Sequence, residues 1–201
     1  MTNKSHWDNV YQTKQPNEVS WTQGKPETSL RLISNCNLPK TARIIDVGGG
    51  DSTLVDCLLE LGYTDLTVLD ISDKAIEKAK VRLGESANKV KWIISDITEF
   101  QPTEKYAVWH DRATFHFLTE AIQIEKYQSL VQNYVSDYLI MATFSTTGPL
   151  KCSGLDIKQY TIADLESTFQ NGFQKVEGFY EDHKTPFETI QNFVFCRFKK
   201  K

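Results

Sequence analysis

No apolar run in this chain approaches the roughly 20 residues that a membrane-crossing helix needs. The opening from Met1 to Tyr11 is polar and lacks the apolar centre of a secretion signal, so the chain reads as cytoplasmic. Cysteine is sparse. Cys36, Cys57, Cys152 and Cys196 lie far apart with no C-x-x-C pair, which argues against a zinc knuckle or a dithiol redox motif. Reduced thiols are expected, with Cys57 and Cys196 as small core residues. A basic excess is also missing: 23 Lys and Arg face 26 Asp and Glu, for a net charge of −3. Binding a phosphate backbone calls for a basic face, so a nucleic-acid substrate is disfavoured. No Gly-Lys-Ser or Gly-Lys-Thr occurs, which excludes a P-loop. There is no repeat or low-complexity block, and 201 residues with 40% hydrophobic content suffice for one domain with a substantial core.

What is present is concentrated in Ile44-Ile45-Asp46-Val47-Gly48-Gly49-Gly50-Asp51-Ser52-Thr53, followed by Thr67-Val68-Leu69-Asp70-Ile71-Ser72. An apolar, β-branched run ends at three glycines, where the backbone can turn tightly and approach a ligand with no Cβ in the way. About twenty residues on, a second apolar run ends at Asp70, whose carboxylate can accept both hydroxyls of a ribose. The pair reads as a crevice for an adenosine-containing ligand. It departs from the dinucleotide pattern G-x-G-x-x-G, because Thr53 stands where the third glycine belongs and Asp51 would repel a pyrophosphate.

Strand-like runs recur at 43–47, 66–70, 90–94, 106–110, 138–144, 174–180 and 192–198, and helical spacing fills 52–61, 72–83, 119–135 and 162–169. Alternating strand and helix predicts a single doubly wound α/β domain with a mostly parallel seven-stranded sheet. The last two runs are separated by 181–190, too polar and proline-broken for a crossover helix, so they should form an antiparallel pair at the sheet edge.

Asp-Val-Gly-Gly-Gly-Asp with its acidic strand end resembles motif I of the class I S-adenosylmethionine-dependent methyltransferases. The donor used by that family carries no phosphate, and its ammonium and sulfonium tolerate acids beside the turn. The resemblance covers the chain from about Arg43 to the C-terminus and implies a Rossmann-like methyltransferase domain over residues 41–201. It further implies a helical or lid segment over residues 1–40, with Trp7, Tyr11 and Trp21 in a polar background. S-adenosyl-L-methionine is the implied cofactor, with Asp46, Gly48, Gly49, Gly50, Asp70, Ile71, Asp96, Ile97 and Trp21 as the implied contacts.

Ligands of open α/β sheets bind beyond the carboxyl ends of the strands. At the fourth such end, Val108-Trp109-His110-Asp111-Arg112-Ala113-Thr114-Phe115-His116-Phe117-Leu118 crowds two histidines, an acid and an arginine among aromatics. Charged groups after a buried strand need partners. His110, Asp111, Arg112 and His116 are therefore the candidate catalytic residues, with either histidine as a base oriented by Asp111 and the Arg112 fork as a seat for an anionic group. Asp111-Arg112-Ala113 is similar to an element of thiopurine-type small-molecule methyltransferases. Asp111 to Phe115 is similar to one of the elongation-factor lysine methyltransferases, with Arg112 and Ala113 in place of its lysine and glycine. The reading is thus a methyltransferase acting on a small molecule through nitrogen, sulfur or oxygen. The alternatives are a protein-lysine methyltransferase and a catalytically idle member that binds S-adenosylmethionine or S-adenosylhomocysteine. His110, His116, Cys152 and His183 lack metal-ligand spacing, so no metal is expected. The loop from Thr143 to Gly154 is expected to be flexible and polar, and His183 to sit in a surface loop.

Overall fold

The computed structural model describes residues 3–201, so the first two residues of the expected N-terminal segment lie outside the described residues. The chain begins with α1 (Asn3–Thr13), a 3₁₀ turn at Pro16–Glu18 and α2 (Glu27–Ser34). The wound part then runs β1 (Ile44–Val47), α3 (Leu54–Glu60), β2 (Leu66–Asp70), α4 (Asp73–Leu83), β3 (Val90–Ile94), β4 (Tyr106–Arg112), α5 (Ala121–Tyr134) and β5 (Val135–Phe144). A two-stranded hairpin, β6 (Lys151–Cys152) and β7 (Leu155–Asp156), precedes α6 (Ile162–Phe169), β8 (Phe173–Lys184) and β9 (Ile190–Lys200). Among the described residues no helix is long and apolar enough to cross a membrane.

Seven strands form one sheet in the order β3-β2-β1-β4-β5-β9-β8. The first five pair in parallel, and β9 lies antiparallel between β5 and β8, as the polar, proline-broken connection predicts. Chain order reverses between β1 and β4, and the crevice at that switch point opens beyond Val47 and Arg112. Every residue of β1 and β2 is buried, because helices cover both sheet faces. Side chains alternate between two cores. Ile44, Val68, Val108 and Ile140 join Leu32 and Ile33 of α2 and Leu54 and Leu58 of α3 on one face. Ile45, Leu69, Trp109 and Leu139 join Tyr127 and Val131 of α5 and Leu165 of α6 on the other.

Local chemistry sets the helix ends next to the crevice. Ser72 caps α4 by accepting from the Ala75 N–H at 3.2 Å, Asp73 complements the N-terminal partial charge, and Gly84 at φ 56° ends the helix. Two expectations about loops give way. The edge strands β8 and β9 extend well past the apolar runs, leaving a turn of only Thr185–Thr189, in which the Thr185 N–H donates to the Thr189 carbonyl. The loop after β5 is tied down by Ser145 and Thr147 hydroxyls on Asn192 and by the β6–β7 hairpin, whose Cys152 is buried.

Candidate active site

At the end of β1 the backbone turns through Gly48 and Gly50 at φ 67° and 49°, conformations that side chains bearing a Cβ rarely adopt. A Cβ on Gly50 would stand 2.5 Å from the Tyr11 hydroxyl and 3.2 Å from Asp70 Oδ2, and one on Gly49 would stand 2.7 Å from Asp46 Oδ2. The missing side chains bring bare backbone against both acids. Asp70 accepts from the Ser72 N–H at 2.8 Å, and burial pushes its carboxyl up to about 7. Asp96 Oδ1 accepts from the Thr98 N–H and hydroxyl, both at 2.8 Å, which folds the chain after β3 into a tight turn. Asp46, Gly48, Gly49, Asp70, Ile71 and Asp96 all line one cavity of about 750 Å³, as does Ile97. Gly50 is not among the lining residues; its backbone N–H donates to Asp70.

The residues at the end of β4 divide between the two sheet faces, because strand side chains alternate. His110 follows Val108 toward the α2 face and lines the cavity. Its Nδ1 lies 2.7 Å from Asp46 Oδ1 and its Nε2 2.9 Å from the Ser29 hydroxyl. Asp111 follows Trp109 to the opposite face, fully buried, where it accepts from the Tyr127 hydroxyl at 2.6 Å and the Thr114 and Phe115 N–H groups at 2.9 and 3.1 Å. The expectation that Asp111 orients a histidine is therefore corrected: Asp46 does that for His110. His116 is also buried behind the cavity wall. Its Nδ1 receives the Phe144 N–H, and burial next to Arg112 pushes its pKa down to about 3, which favours the neutral ring.

Arg112 reaches the cavity with its Nη1 donating to the Trp21 carbonyl at 3.2 Å. Trp21, expected beside the donor, meets Arg112 through its backbone and the N-terminal aromatics through its ring. Trp7 lies 5.2 Å from Phe117 and 5.7 Å from Trp21, and Tyr11 lies 6.3 Å from Trp21, so an aromatic roof spans the crevice. Polar ties hold α1 there: the Ser72 hydroxyl donates to Asp8 at 2.7 Å, and Lys4 bridges Asp8 and Asp73. His183 is buried in β8 instead of sitting in a surface loop, and its Nε2 lies 2.7 Å from the Ser20 carbonyl. Among the described residues no group of three or more His, Cys, Asp or Glu side chains is placed to hold a metal ion.

Sequence reasoning missed Ser29 and gave Cys152 no role, yet both line the cavity, as do Trp7 and Tyr11 of the expected lid segment. Ser29 had a signal: it is a polar residue in the otherwise apolar buried stripe of α2, with Leu30, Leu32 and Ile33.

Residues 44–133 match a family described as a methyltransferase domain. Malonyl-[acyl-carrier protein] O-methyltransferase 1 of Ilyobacter polytropus is 30% identical over 86 residues, 42% of this chain and 32% of that protein. EEF1A lysine methyltransferase 2 of Mus musculus is 22% identical over 188 residues, 87% of this chain and 72% of that one. Matches to the malonyl enzymes span about a third of those proteins' length, 32% and 29%. The structure of magnesium protoporphyrin IX methyltransferase from Synechocystis PCC 6803 with bound S-adenosylmethionine superposes with a TM-score of 0.69 at 17% identity, over 100% of this chain and 92% of that one, a likeness of fold. The family match falls on the strands and the glycine turn that build one side of the cavity, and the fold is the Rossmann-like fold of the class I S-adenosylmethionine-dependent methyltransferases.

Proposed function

We propose that this protein transfers the methyl group of S-adenosylmethionine to a small molecule at nitrogen, sulfur or oxygen. One observation carries the reading: a single cavity runs from the glycine turn and Asp70 to the aromatic roof over the end of β4. Its volume of about 750 Å³ lies within the range of small-molecule sites. The residues fit the donor. Bare backbone at Gly48 and Gly50 admits close approach, Asp70 would accept the ribose hydroxyls, Asp46 would face the ammonium, and Ile71, Asp96 and Ile97 would border the base. When bound, the donor supplies an electrophilic methyl group on a sulfonium, open to in-line displacement.

The chain's own part is then mostly positional. The roof of Trp7, Tyr11, Trp21 and Phe117 excludes water and confines the acceptor to a near-attack arrangement. Any proton released by the acceptor has one route built from this chain, through Ser29 or directly to His110 Nε2, with Asp46 stabilising the imidazolium. Cys152 stays a thiol, because burial pushes it up to about 12. A second reading, methylation of a protein lysine, is favoured by the likeness to EEF1A lysine methyltransferase 2 and by the Asp-x-x-Thr-Phe element at Asp111 to Phe115. The roof weighs against it, since a lysine in a protein must enter through an open groove.

Incubation of the protein with radiolabelled methyl donor and size-fractionated cell extract tests the proposal. Label in the low-mass fraction is the expected result. Label confined to one protein band would overturn it in favour of the lysine reading.

A further inference from the structure

The guanidinium of Arg112 is only partly satisfied. Nη1 is taken by the Trp21 carbonyl, and the ring of Phe193 covers one face of the group at 4.7 Å from its centroid. Nε and Nη2 are buried and have no hydrogen-bond partner. These two nitrogens form the side-on fork of arginine, whose parallel N–H bonds match the two oxygens of a carboxylate. The unpartnered edge of the group is thus its bidentate edge.

Among the described residues no group hydrogen-bonds to that edge. The acids that act on Arg112 electrostatically are Glu181 and Asp46. Glu181 accepts from the Thr28 hydroxyl at 2.6 Å and Asp46 pairs with His110 at 2.7 Å, so both are engaged elsewhere. The remaining neighbours, His116, His183 and Cys152, are neutral, the histidines because burial and Arg112 itself push their pKa values down. Burial lowers the Arg112 pKa only to about 10, so the group keeps its charge at neutral pH. A buried, unpaired cation on a cavity wall is costly, and a ligand anion relieves that cost.

We infer that Arg112 is the seat of a carboxylate bound in the cavity, carried either by the methionine portion of the donor or by the acceptor. A single fork with one charge and neutral surroundings suits one planar carboxylate better than a phosphate, which needs more donors and more charge. The aromatic roof beside it suits an apolar or aromatic body on the same molecule. The inference rests on the cavity being the methyl-transfer site, and it deepens that reading by naming a chemical class for what occupies the end beside β4.

The test uses the full chain and its Arg112→Met and Arg112→Lys variants, the second keeping the charge without the fork. Calorimetry compares S-adenosylhomocysteine with 5′-methylthioadenosine, which lacks the amino-acid portion, and then titrates benzoate into the protein with and without S-adenosylhomocysteine. If the donor supplies the carboxylate, Arg112→Met weakens S-adenosylhomocysteine about 10- to 100-fold and leaves 5′-methylthioadenosine unchanged. If the acceptor supplies it, both nucleosides bind the variants normally, while benzoate binds the wild type and is lost or weakened about tenfold or more in both variants. Unchanged S-adenosylhomocysteine affinity together with benzoate that binds neither protein, or all three equally, would overturn the inference. Failure of the wild type to bind any nucleoside would sink the methyltransferase proposal instead, and benzoate titration of the free protein would still report on Arg112.

Discussion

Asp70 offers a sharp test of the donor site, because the property that suits it for ribose binding also costs stability. Its carboxyl is pushed up to about 7 by burial, while in the unfolded chain it titrates near 3.8. Between those pH values the folded state holds a proton that the unfolded state has released, so stability falls as pH rises, the reverse of a salt-bridged acid. Asp70→Asn removes this dependence. At 1.36 kcal/mol for each pH unit of difference in pKa, the variant should gain about 2 to 3 kcal/mol over the wild type between pH 5 and pH 8. The new amide nitrogen would face the Gly50 N–H that now donates to the carboxylate, a loss of about 1 kcal/mol that is the same at both pH values and drops out of the comparison. Urea unfolding at pH 5 and pH 8 measures the difference. Ligand binding should move the other way: two ribose hydroxyls donating to a carboxylate are worth on the order of 2 to 4 kcal/mol, lost in Asp70→Asn or Asp70→Ala. Wild-type affinity for S-adenosylhomocysteine should rise by up to about fivefold from pH 6 to pH 7, as the acid ionises. Calorimetry at these pH values reads both effects. An equal stability gap at pH 5 and 8, or an unchanged dissociation constant in the variants, would refute the assignment.

Asp111→Ala should cost about 3 kcal/mol or more in urea unfolding, because it strands the Tyr127 hydroxyl and the Thr114 and Phe115 N–H groups in a buried site; a folded, stable variant with lost turnover would instead return Asp111 to catalysis. Gly50→Ala should lose about 1 kcal/mol or more of stability and weaken S-adenosylhomocysteine, since its left-handed backbone and the nearby Tyr11 hydroxyl both resist a Cβ; wild-type affinity would contradict this. Trp7→Ala should speed amide exchange in α1 while β1 and β4 stay protected, because α1 has no buried residue and is held by rings and polar ties; general loss of protection would show that α1 belongs to the cooperative core.

Much of the scaffold was legible because its signals are local. The apolar run of β1, the glycines after it and Asp70 at the end of β2 each follow from backbone and side-chain requirements acting within a few residues. So does the antiparallel edge pair, since the connection at 181–190 cannot supply a crossover helix. The true lengths of β8 and β9 were not legible, because polar residues such as Glu181 and Asp182 gain strand geometry only from the ladder beside them.

The candidate site divides along the same line. The sequence by itself determined that His110, Asp111, Arg112 and His116 would stand at the end of β4, and that a glycine turn would stand at the end of β1. Only the tertiary structure decided what each group does there. Strand alternation sends His110 to the cavity face and Asp111 to the opposite core, but which face holds the cavity depends on where α2 and the N-terminal aromatics dock. The pairing of Asp46 with His110 and Ser29 joins residues 64 and 81 positions apart, a contact created by strand register and helix packing and invisible to any local pattern. The same holds for Arg112, whose type announced a fork, while the burial that leaves the fork empty follows from Trp21 and Phe193 arriving from opposite ends of the chain.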